Sequence, residues 1–287
     1  MITSFRKARF ACCLTFLTTT AVVSAADKIP GVLSAKDSLT SPNKPATIEA
    51  LLTWKGMLTE TGLGGEQIEL LLDGKVVATA MTGGDGRAVL SYTPKAKGRL
   101  SFTVRVGASP RVTNAEAQAR VSVWERRSPM IAVEMTALME EASEKSPIVT
   151  LPGMEAQEQR PMPDAADELS KLSQFYYNLL YVVTPGSDRS GGFKSAEQAQ
   201  VWLKKHKFPP GYILVLSNKP DAWGTKLDDM RAAGWTTLKI GIARSKPFAE
   251  AFIQRRLEAE MVPEPEKGEA PRKAKVVKGW KEVRKKL

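Results

Sequence analysis

The chain has 287 residues and a formal net charge of +11, with one histidine and two cysteines. These counts exclude Ser-His-Asp triads, zinc sites that need several His or Cys ligands, and a disulfide framework beyond Cys12 and Cys13. The last 17 residues carry eight Lys or Arg and one Glu, so most of the excess positive charge lies in a tail. We therefore expect no nucleic-acid-binding domain.

The first 26 residues have the order of a secretory signal peptide. Arg6, Lys7 and Arg9 form a positive region, the apolar stretch ACCLTFLTTTAVV follows, and Ser24–Ala26 offers small residues for cleavage. The apolar stretch is shorter than the ~20 residues that a membrane-spanning helix needs. We expect an exported protein, periplasmic or extracellular, with an uncleaved anchor as the alternative.

Residues 28–125 show short alternating segments that are typical of β-strands. QIELL and KVVATAM flank Asp73-Gly74, a pair that favours a tight hairpin turn because glycine accepts positive φ. GGDG at residues 83–86 predicts a second turn, and LSFTVRV and VSVW continue the alternation. Evenly spaced strands of this kind predict an all-β antiparallel sandwich.

The motifs of this region resemble those of bacterial immunoglobulin-like domains in exported proteins. The matching order is I-x-L-x-x-D-G, then T-G-x-D-G-x-A, then Y-T-P and F-T-V, within about residues 30–125. The resemblance implies an immunoglobulin-like fold. It leaves the function open, because such domains serve as spacers, adhesins and docking modules.

Residues 126–261 alternate between buried strands and amphipathic helices. The predicted strands are MIAVEM, NLLYVV, GYILVLS and TTLKIGIA, and the predicted helices are DAADELSKLSQFY, SAEQAQVWLKKH, residues 221–233 and PFAEAFIQRRLEAEM. This alternation predicts an α/β domain with a parallel sheet that is covered by helices on both faces. Ligands of such sheets bind beyond the carboxyl ends of the strands.

The stretch from PMPDAADELSKLSQFYYNLLYVVTPGSD to SAEQAQVWLKKHKFPPGYILVLS resembles the haloacid dehalogenase-like (HAD) phosphatase superfamily, with its acid-phosphatase and lipin-like branches nearest. Trp202, Leu203, Pro209 and Gly211 match a W-L…P-x-G segment of these enzymes. The resemblance implies a Rossmann-like fold over about residues 128–260. It also implies Mg²⁺-dependent phosphoryl transfer by an Asp nucleophile in a D-x-D-x-T motif after the first strand.

Mapped onto that family, the catalytic positions are degenerate. The nucleophile position is Ala132, and the acid/base position is Glu134, one methylene longer than Asp. The acids that follow the fourth strand in the family correspond to Arg244 and Phe248. We therefore expect no confident catalytic residue beyond a remnant Glu134, no metal ligands and no cofactor.

The same strand ends retain groups that could bind an anion. Thr136 and Thr184 correspond to hydroxyl positions of the family, Lys226 corresponds to its lysine, and Arg244 replaces an acid. Hydroxyls and cations at the carboxyl edge of a sheet suit an anion even without a metal. An Arg244 side chain that points to solvent is the alternative.

Residues 262–287 are predicted to form a linker and a basic amphipathic tail. Val276, Trp280, Val283 and Leu287 recur at helical spacing among basic residues. This pattern predicts either adhesion to an anionic membrane or cell-wall surface, or a disordered soluble tail. The residues expected to contact such a surface are Lys278, Trp280, Lys281, Arg284, Lys285 and Lys286.

Three functions follow from this sequence. The favoured one is an exported envelope protein whose degenerate HAD-like domain binds an envelope partner or an anionic ligand without catalysis. The first alternative is a Mg²⁺-dependent phosphatase or phosphatidate-type hydrolase with a site rearranged around Glu134, Asp188 and Asp221. The second alternative is a structural or adhesive surface protein.

Overall fold

The structure is a computed structural model of the chain. It describes residues 28–56, 59–140, 159–175, 177–184, 193, 195–217, 219 and 221–286. The expected signal peptide, residues 1–26, lies outside these residues. Within the described residues, no helix is long and apolar enough to cross a membrane.

The N-terminal part is an all-β sandwich, as the alternating pattern predicts. Its strands are β1 (Gly31–Ala35), β2 (Ser38–Thr40), β3 (Ala46–Lys55), β4 (Glu60–Gly62), β5 (Gln67–Leu72), β6 (Lys75–Met81), β7 (Arg87–Tyr92), β8 (Gly98–Val106) and β9 (Glu116–Val123). β3 pairs with β1, β4 and β7 in one sheet, and the other sheet has the order β2-β9-β8-β5-β6. The pairs are antiparallel except β2–β9.

Two features fix the sandwich. Asp73 and Gly74 both have positive φ, 49° and 77°, and they join β5 to β6 in the hairpin that the Asp-Gly pair favours. Inward side chains of both sheets form one apolar core, in which Ile48, Leu70 and Phe102 are fully buried. The alternating pattern is therefore a consequence of one face of each strand packing into this core.

The C-terminal part is a parallel sheet covered by helices. Its elements are β10 (Met130–Glu134), a 3₁₀ turn (Met135–Leu138), α1 (Ala165–Phe175), β11 (Asn178–Val183), α2 (Ala196–Lys205), β12 (Tyr212–Val215), α3 (Ala222–Ala232), β13 (Leu238–Ala243), α4 (Lys246–Gln254), β14 (Glu258–Met261), β15 (Lys275–Val276) and α5 (Trp280–Lys286). The strand order is β12-β11-β10-β13-β14-β15, and every pair is parallel.

This order has functional consequences. Numbered along the chain, the strands run 3-2-1-4-5-6, which is the order of doubly wound α/β sheets. Side chains of α1, α2 and α5 pack on one face of the sheet, and side chains of α3 and α4 pack on the other. The order reverses between β10 and β13, and doubly wound sheets bind ligands in the crevice beyond such a reversal.

The sequence-based helix over PFAEAFIQRRLEAEM is wrong in its second half. α4 ends at Gln254, and Arg256 has a left-handed φ of 58° that a continuing helix would not allow. The residues that follow form β14, which pairs with β13. Ala259 and Met261 are buried beneath α4, in the apolar cluster to which α4 contributes.

The predicted tail is not a separate segment, because it is folded into the α/β domain, and the prediction that Trp280 contacts a surface is wrong. β15 adds a strand to the sheet, and α5 packs against α1. Trp280 is 1% exposed, and its indole Nε1–H donates to the Ala137 carbonyl at 3.1 Å. The apolar stripe of the tail faces the core, because it covers the same side of the sheet as α1. Leu287 lies outside the described residues.

The basic residues of α5 keep exposed positions but are partly neutralised. Lys281 lies 3.4 Å from the Asp164 carboxylate, and Arg284 lies 3.1 Å from the Glu168 carboxylate. The Lys171 ammonium and the Arg284 guanidinium hold the pKa of Glu168 below its usual value. Lys278, Lys285 and Lys286 are exposed as well. The positive charge of the tail therefore lies on the surface of the folded α/β domain.

Side chains from both parts of the chain connect the sandwich to the α/β domain. An Arg99 guanidinium nitrogen donates to the Gly211 carbonyl at 2.6 Å. Arg126, between β9 and β10, places its guanidinium carbon 5.3 Å from the centre of the Trp235 ring. The sandwich therefore docks against the β12 side of the parallel sheet.

A carboxyl group is buried under the C-terminal helix. Glu260 on β14 is 1% exposed, and both of its carboxyl oxygens lack a hydrogen-bond partner within the described residues. Desolvation raises the pKa of Glu260 to about 7, against the opposing charges of Lys275 and Lys286 and with a contribution from Glu258. Burial of an ionised, unpaired carboxylate is costly, so this group favours the protonated state in the fold.

We predict that Glu260 makes stability depend on pH. Because the pKa of Glu260 rises on folding from an ordinary value of 4.5 to about 7, the native state binds more protons between these values. The free energy of unfolding should therefore fall as pH rises from about 4.5 to about 7, by about 3 kcal/mol. Glu260→Gln should remove this slope and be more stable than the unmodified chain at pH 8, measured by urea unfolding.

The exposed Glu258, two residues earlier on β14, provides the control. Glu258→Gln should keep the slope between pH 4.5 and 7, because its carboxylate is 58% exposed and paired with Lys275. A Glu260→Gln protein with an unchanged slope would contradict the buried position of Glu260.

Candidate functional site

The candidate site lies where the parallel sheet changes direction. β10 and β13 are neighbours, and their carboxyl ends carry Glu134 and, one residue beyond β13, Arg244. A cavity of about 1030 Å³ opens at this edge. We call it the edge cavity. Its lining residues include Glu134, Thr136, Glu140, Thr184, Arg244 and Lys246.

Glu134 is held by the chain that enters α4. Its side chain is buried, and one carboxylate oxygen accepts hydrogen bonds from the backbone amides of Arg244 and Ser245, both at 2.8 Å. The other oxygen accepts the Ser245 hydroxyl proton at 2.6 Å. These donors lie at the positive end of α4, so Glu134 acts as an internal anion for that helix.

Arg244 braces the turn that follows β10. One guanidinium nitrogen donates to the carbonyl of Met139 at 2.6 Å and to the carbonyl of Thr136 at 3.2 Å. The side chain is half-buried, which contradicts the alternative that it simply points to solvent. Arg244 and Glu134 therefore tie β10, the 3₁₀ turn and α4 together across the crevice.

Two predicted hydroxyl groups reach the same cavity. Thr136 follows β10 and Thr184 follows β11, and both line the edge cavity. The Thr136 hydroxyl oxygen is buried and has no hydrogen-bond partner among the described residues. The structure thus brings Glu134, Thr136, Thr184 and Arg244 together, as expected for residues at the carboxyl ends of adjacent parallel strands.

Lys226 does not belong to this group. It lies in the middle of α3 and lines a cleft of about 730 Å³ between the sandwich and the α/β domain, together with Lys36 and Glu49. The sequence-based assignment was wrong because Lys226 lies more than one turn into α3, on the side of the helix that faces the sandwich. Lys246, at the start of α4, is the lysine that lines the edge cavity.

Ala132 lies below the cavity. It is fully buried in the apolar cluster of the α3 and α4 side, beside Leu180 of β11 and Gly241 of β13. The last residue of the strand, Glu134, is the one that reaches the crevice. An acid introduced at Ala132 would therefore enter the core.

The arrangement does not suit the Mg²⁺ that the HAD resemblance implies. Magnesium needs several oxygen ligands, usually carboxylates and waters, in octahedral geometry. The Glu134 carboxylate is already occupied by three protein donors, and Arg244 places a cation beside it. The described residues contain no group of three or more His, Cys, Asp or Glu side chains that could hold a metal.

The acids of the rearranged-site alternative do not assemble around Glu134 in the described part of the chain. Asp221 immediately precedes α3, with its carboxylate 4.0 Å from Arg255 and 64% exposed. It is the N-cap residue of α3, but its side chain makes no capping hydrogen bond. Asp188 lies outside the described residues.

Sequence reasoning missed the acidic rim of the edge cavity. Glu264, Glu266 and Glu269 line it from the chain that follows β14, and Glu140 lines it from the opposite side. The segment PEPEKGE, residues 263–269, has the composition of a linker, because proline and charge give no apolar period. Its proximity to the strand ends depends on β14, which the sequence analysis assigned to a helix.

Comparisons with known proteins leave the family open. No protein-family description and no curated protein matches this chain. Solved structures that align with it include fibronectin(III)-like modules of Clostridium thermocellum CbhA, at 14% identity and TM-score 0.23, covering 32% of this chain and 94% of that one. The PKD domain of human KIAA0319 aligns at 16% identity and TM-score 0.22, covering 37% and 90%.

A longer alignment has equally low similarity. A family 123 glycoside hydrolase from Clostridium perfringens covers 79% of this chain and 59% of that one, at 8% identity and TM-score 0.22. None of these three similarities is strong enough to assign an activity.

We predict that Glu134 stabilises the fold. Glu134→Ala should lower the free energy of unfolding by about 3 kcal/mol, because two buried amides and a hydroxyl lose an ionised acceptor. Urea unfolding at pH 7 measures the difference. Glu140→Ala is the matched control, since the Glu140 side chain lines the same cavity without such hydrogen bonds among the described residues and should change stability by less than about 0.5 kcal/mol. Equal effects of the two variants would contradict a stabilising role of Glu134.

Proposed function

We propose that this chain is an exported envelope protein whose HAD-like, Rossmann-like α/β domain binds a ligand without hydrolysing it. The observation that supports the proposal is that the Glu134 carboxylate is buried and accepts three hydrogen bonds from the start of α4. A nucleophile or general base needs a lone pair that faces substrate, whereas α4 uses three of the about four lone-pair positions of this carboxylate. Glu134 therefore has a structural role at the crevice.

The charge of the edge cavity favours a cationic ligand over an anionic one. Glu140, Glu264, Glu266 and Glu269 face it, while Lys246 supplies one ammonium group. Arg244 directs its guanidinium to backbone carbonyls. A lysine-rich or arginine-rich segment of an envelope protein fits this rim better than the anion that the threonines and cations suggest in the sequence.

The remaining parts of the chain are consistent with a role at the cell envelope. The immunoglobulin-like sandwich supplies a spacer or docking surface, and the N-terminal sequence pattern suggests export. Lys281 and Lys285 on the exposed face of α5, and Lys278 just before this helix, support contact with an anionic membrane or cell wall through charge alone. Trp280 would take no part in that contact, because it packs in the core.

We predict that the protein releases no phosphate from p-nitrophenyl phosphate or phosphatidate, with or without millimolar Mg²⁺. The physical reason is that the only acid at the end of β10, Glu134, already accepts three hydrogen bonds. Colorimetric phosphate release from the folded protein measures this. Mg²⁺-dependent turnover that disappears in Glu134→Gln and persists in Glu140→Gln would overturn the proposal and favour the hydrolase alternative.

We predict that a lysine-rich peptide binds at the edge cavity with an affinity that falls as salt rises. The double variant Glu264→Gln, Glu266→Gln should weaken binding by about tenfold, since it removes two of the four facing carboxylates. Fluorescence anisotropy of a labelled peptide measures the affinity. The matched control is Glu197→Gln, Glu250→Gln, which removes two carboxylates that lie outside this cavity. Equal losses in both double variants would indicate nonspecific attraction and contradict the site.

A further inference from the structure

One edge of the sandwich is an open β-strand. β6 is the last strand of the sheet β2-β9-β8-β5-β6, and in the described part of the chain it pairs only with β5. At the other end of this sheet, Leu39 of β2 and the neighbouring Trp124 pack against the α/β domain. Four steps of strand spacing, about 19 Å, separate β6 from β2. The free edge of β6 therefore lies on the side of the sandwich that is remote from the α/β domain.

The free edge of β6 carries backbone donors and acceptors that no described strand pairs with. The Thr82 N–H donates to the Glu66 carbonyl, and the Gly65 N–H donates to the Thr82 carbonyl, both at 2.9 Å. The backbone of Thr82 thus faces β5, and backbone groups of successive residues in an antiparallel strand point to opposite sides. The N–H and C=O groups of Thr79 and Met81 therefore point away from β5, where another extended chain can pair with them.

β6 also exposes apolar side chains beside this edge. Seven large apolar side chains are exposed in the described part of the chain, and three of them lie on β6, including Val77 at 39% and Met81 at 59%. Ala78 and Ala80 point into the core of the sandwich, so Val77, Thr79 and Met81 line the outer face of the sheet. From Val77 to Met81 the strand contains no charged residue, glycine or proline.

The features that usually prevent pairing at a strand edge protect only the start of β6. Lys75 is the one charged residue of this strand. A β-bulge between Leu70 and Leu71 of β5 leaves Val77 without a partner on that strand. From Ala78 to Met81 the pairing with β5 is regular. The second half of β6 is therefore a regular, uncharged edge that is open to a further strand.

We propose that β6 pairs with β6 of a second copy of this chain in an antiparallel, two-fold symmetric dimer. With the two-fold axis at Thr79, this residue faces its own copy, and Val77 faces Met81 of the other copy. The exposed Val77 and Met81 side chains then cover each other, and the facing threonines form a favourable cross-strand pair. No like charges are opposed, because Lys75 falls opposite Gly83 of the other copy.

The edge of β6 thus favours a second copy because its pattern is complementary to itself. A two-fold axis closes the assembly at two chains, since each copy uses its free edge once. The contact is a single pair of strands, so we expect a weak dimer. The inference rests on the sandwich and does not depend on the function proposed for the edge cavity, which lies in the α/β domain.

Sedimentation velocity of the full chain, from about 1 µM to about 500 µM, tests the dimer. We expect a reversible equilibrium between monomer and dimer. Thr79→Lys places two ammonium groups opposite each other at the axis and should weaken association by about tenfold or more. Val89→Lys is the matched control, because Val89 is 61% exposed on the other sheet and should leave association unchanged. A monomer at every concentration, species larger than a dimer, or equal association of Thr79→Lys and the unmodified chain would each overturn the proposal.

Two double variants test the register with the same number of substitutions. Val77→Lys, Met81→Lys opposes like charges in both outer pairs and should abolish the dimer, whereas Val77→Glu, Met81→Lys opposes a carboxylate to an ammonium group and should retain it. Circular dichroism should show the spectrum of the unmodified chain for every variant, because the substituted side chains are exposed in the monomer. Equal association of the two double variants would contradict pairing about Thr79.

Discussion

The α/β domain depends on one buried ion-to-dipole contact, between the Glu134 carboxylate and the start of α4. A buried carboxylate is stable only when its oxygens are hydrogen-bonded, and here two amides and a hydroxyl meet that requirement. The contact joins β10 to β13 at the reversal of strand order, where a doubly wound sheet would otherwise open a crevice. This contact therefore stabilises the sheet edge, and it engages the carboxylate at the end of β10 in hydrogen bonds within the protein.

The sequence predicted the parts of the fold that follow local periodicity. β10, β11, β12 and β13, and the helices between them, lie within a few residues of the predicted segments, because each combines a buried face with clear turn signals. It failed at β14 and β15, where a two-residue strand and the short segment EAEM carry too little pattern. The burial of Trp280 was equally hidden, since a stripe of four apolar residues looks the same whether it faces a core or a membrane.

The candidate site was predictable to the extent that it follows from parallel topology. Thr136, Thr184 and Arg244 each come directly after a strand, so a correct strand assignment places them together. The partner of Glu134 lies 110 residues away in the chain, and no spacing rule identifies it.

The charge of the edge cavity comes from the chain that connects β14 to β15. Glu264, Glu266 and Glu269 line the cavity from this chain and Glu140 adds a fourth carboxylate, whereas Lys246 supplies one ammonium group. Glu134 adds little to the accessible charge, because its carboxylate is buried and hydrogen-bonded to the start of α4. At this sheet edge, the sign of the rim is therefore set by a connecting segment rather than by the carboxylate at the end of the central strand.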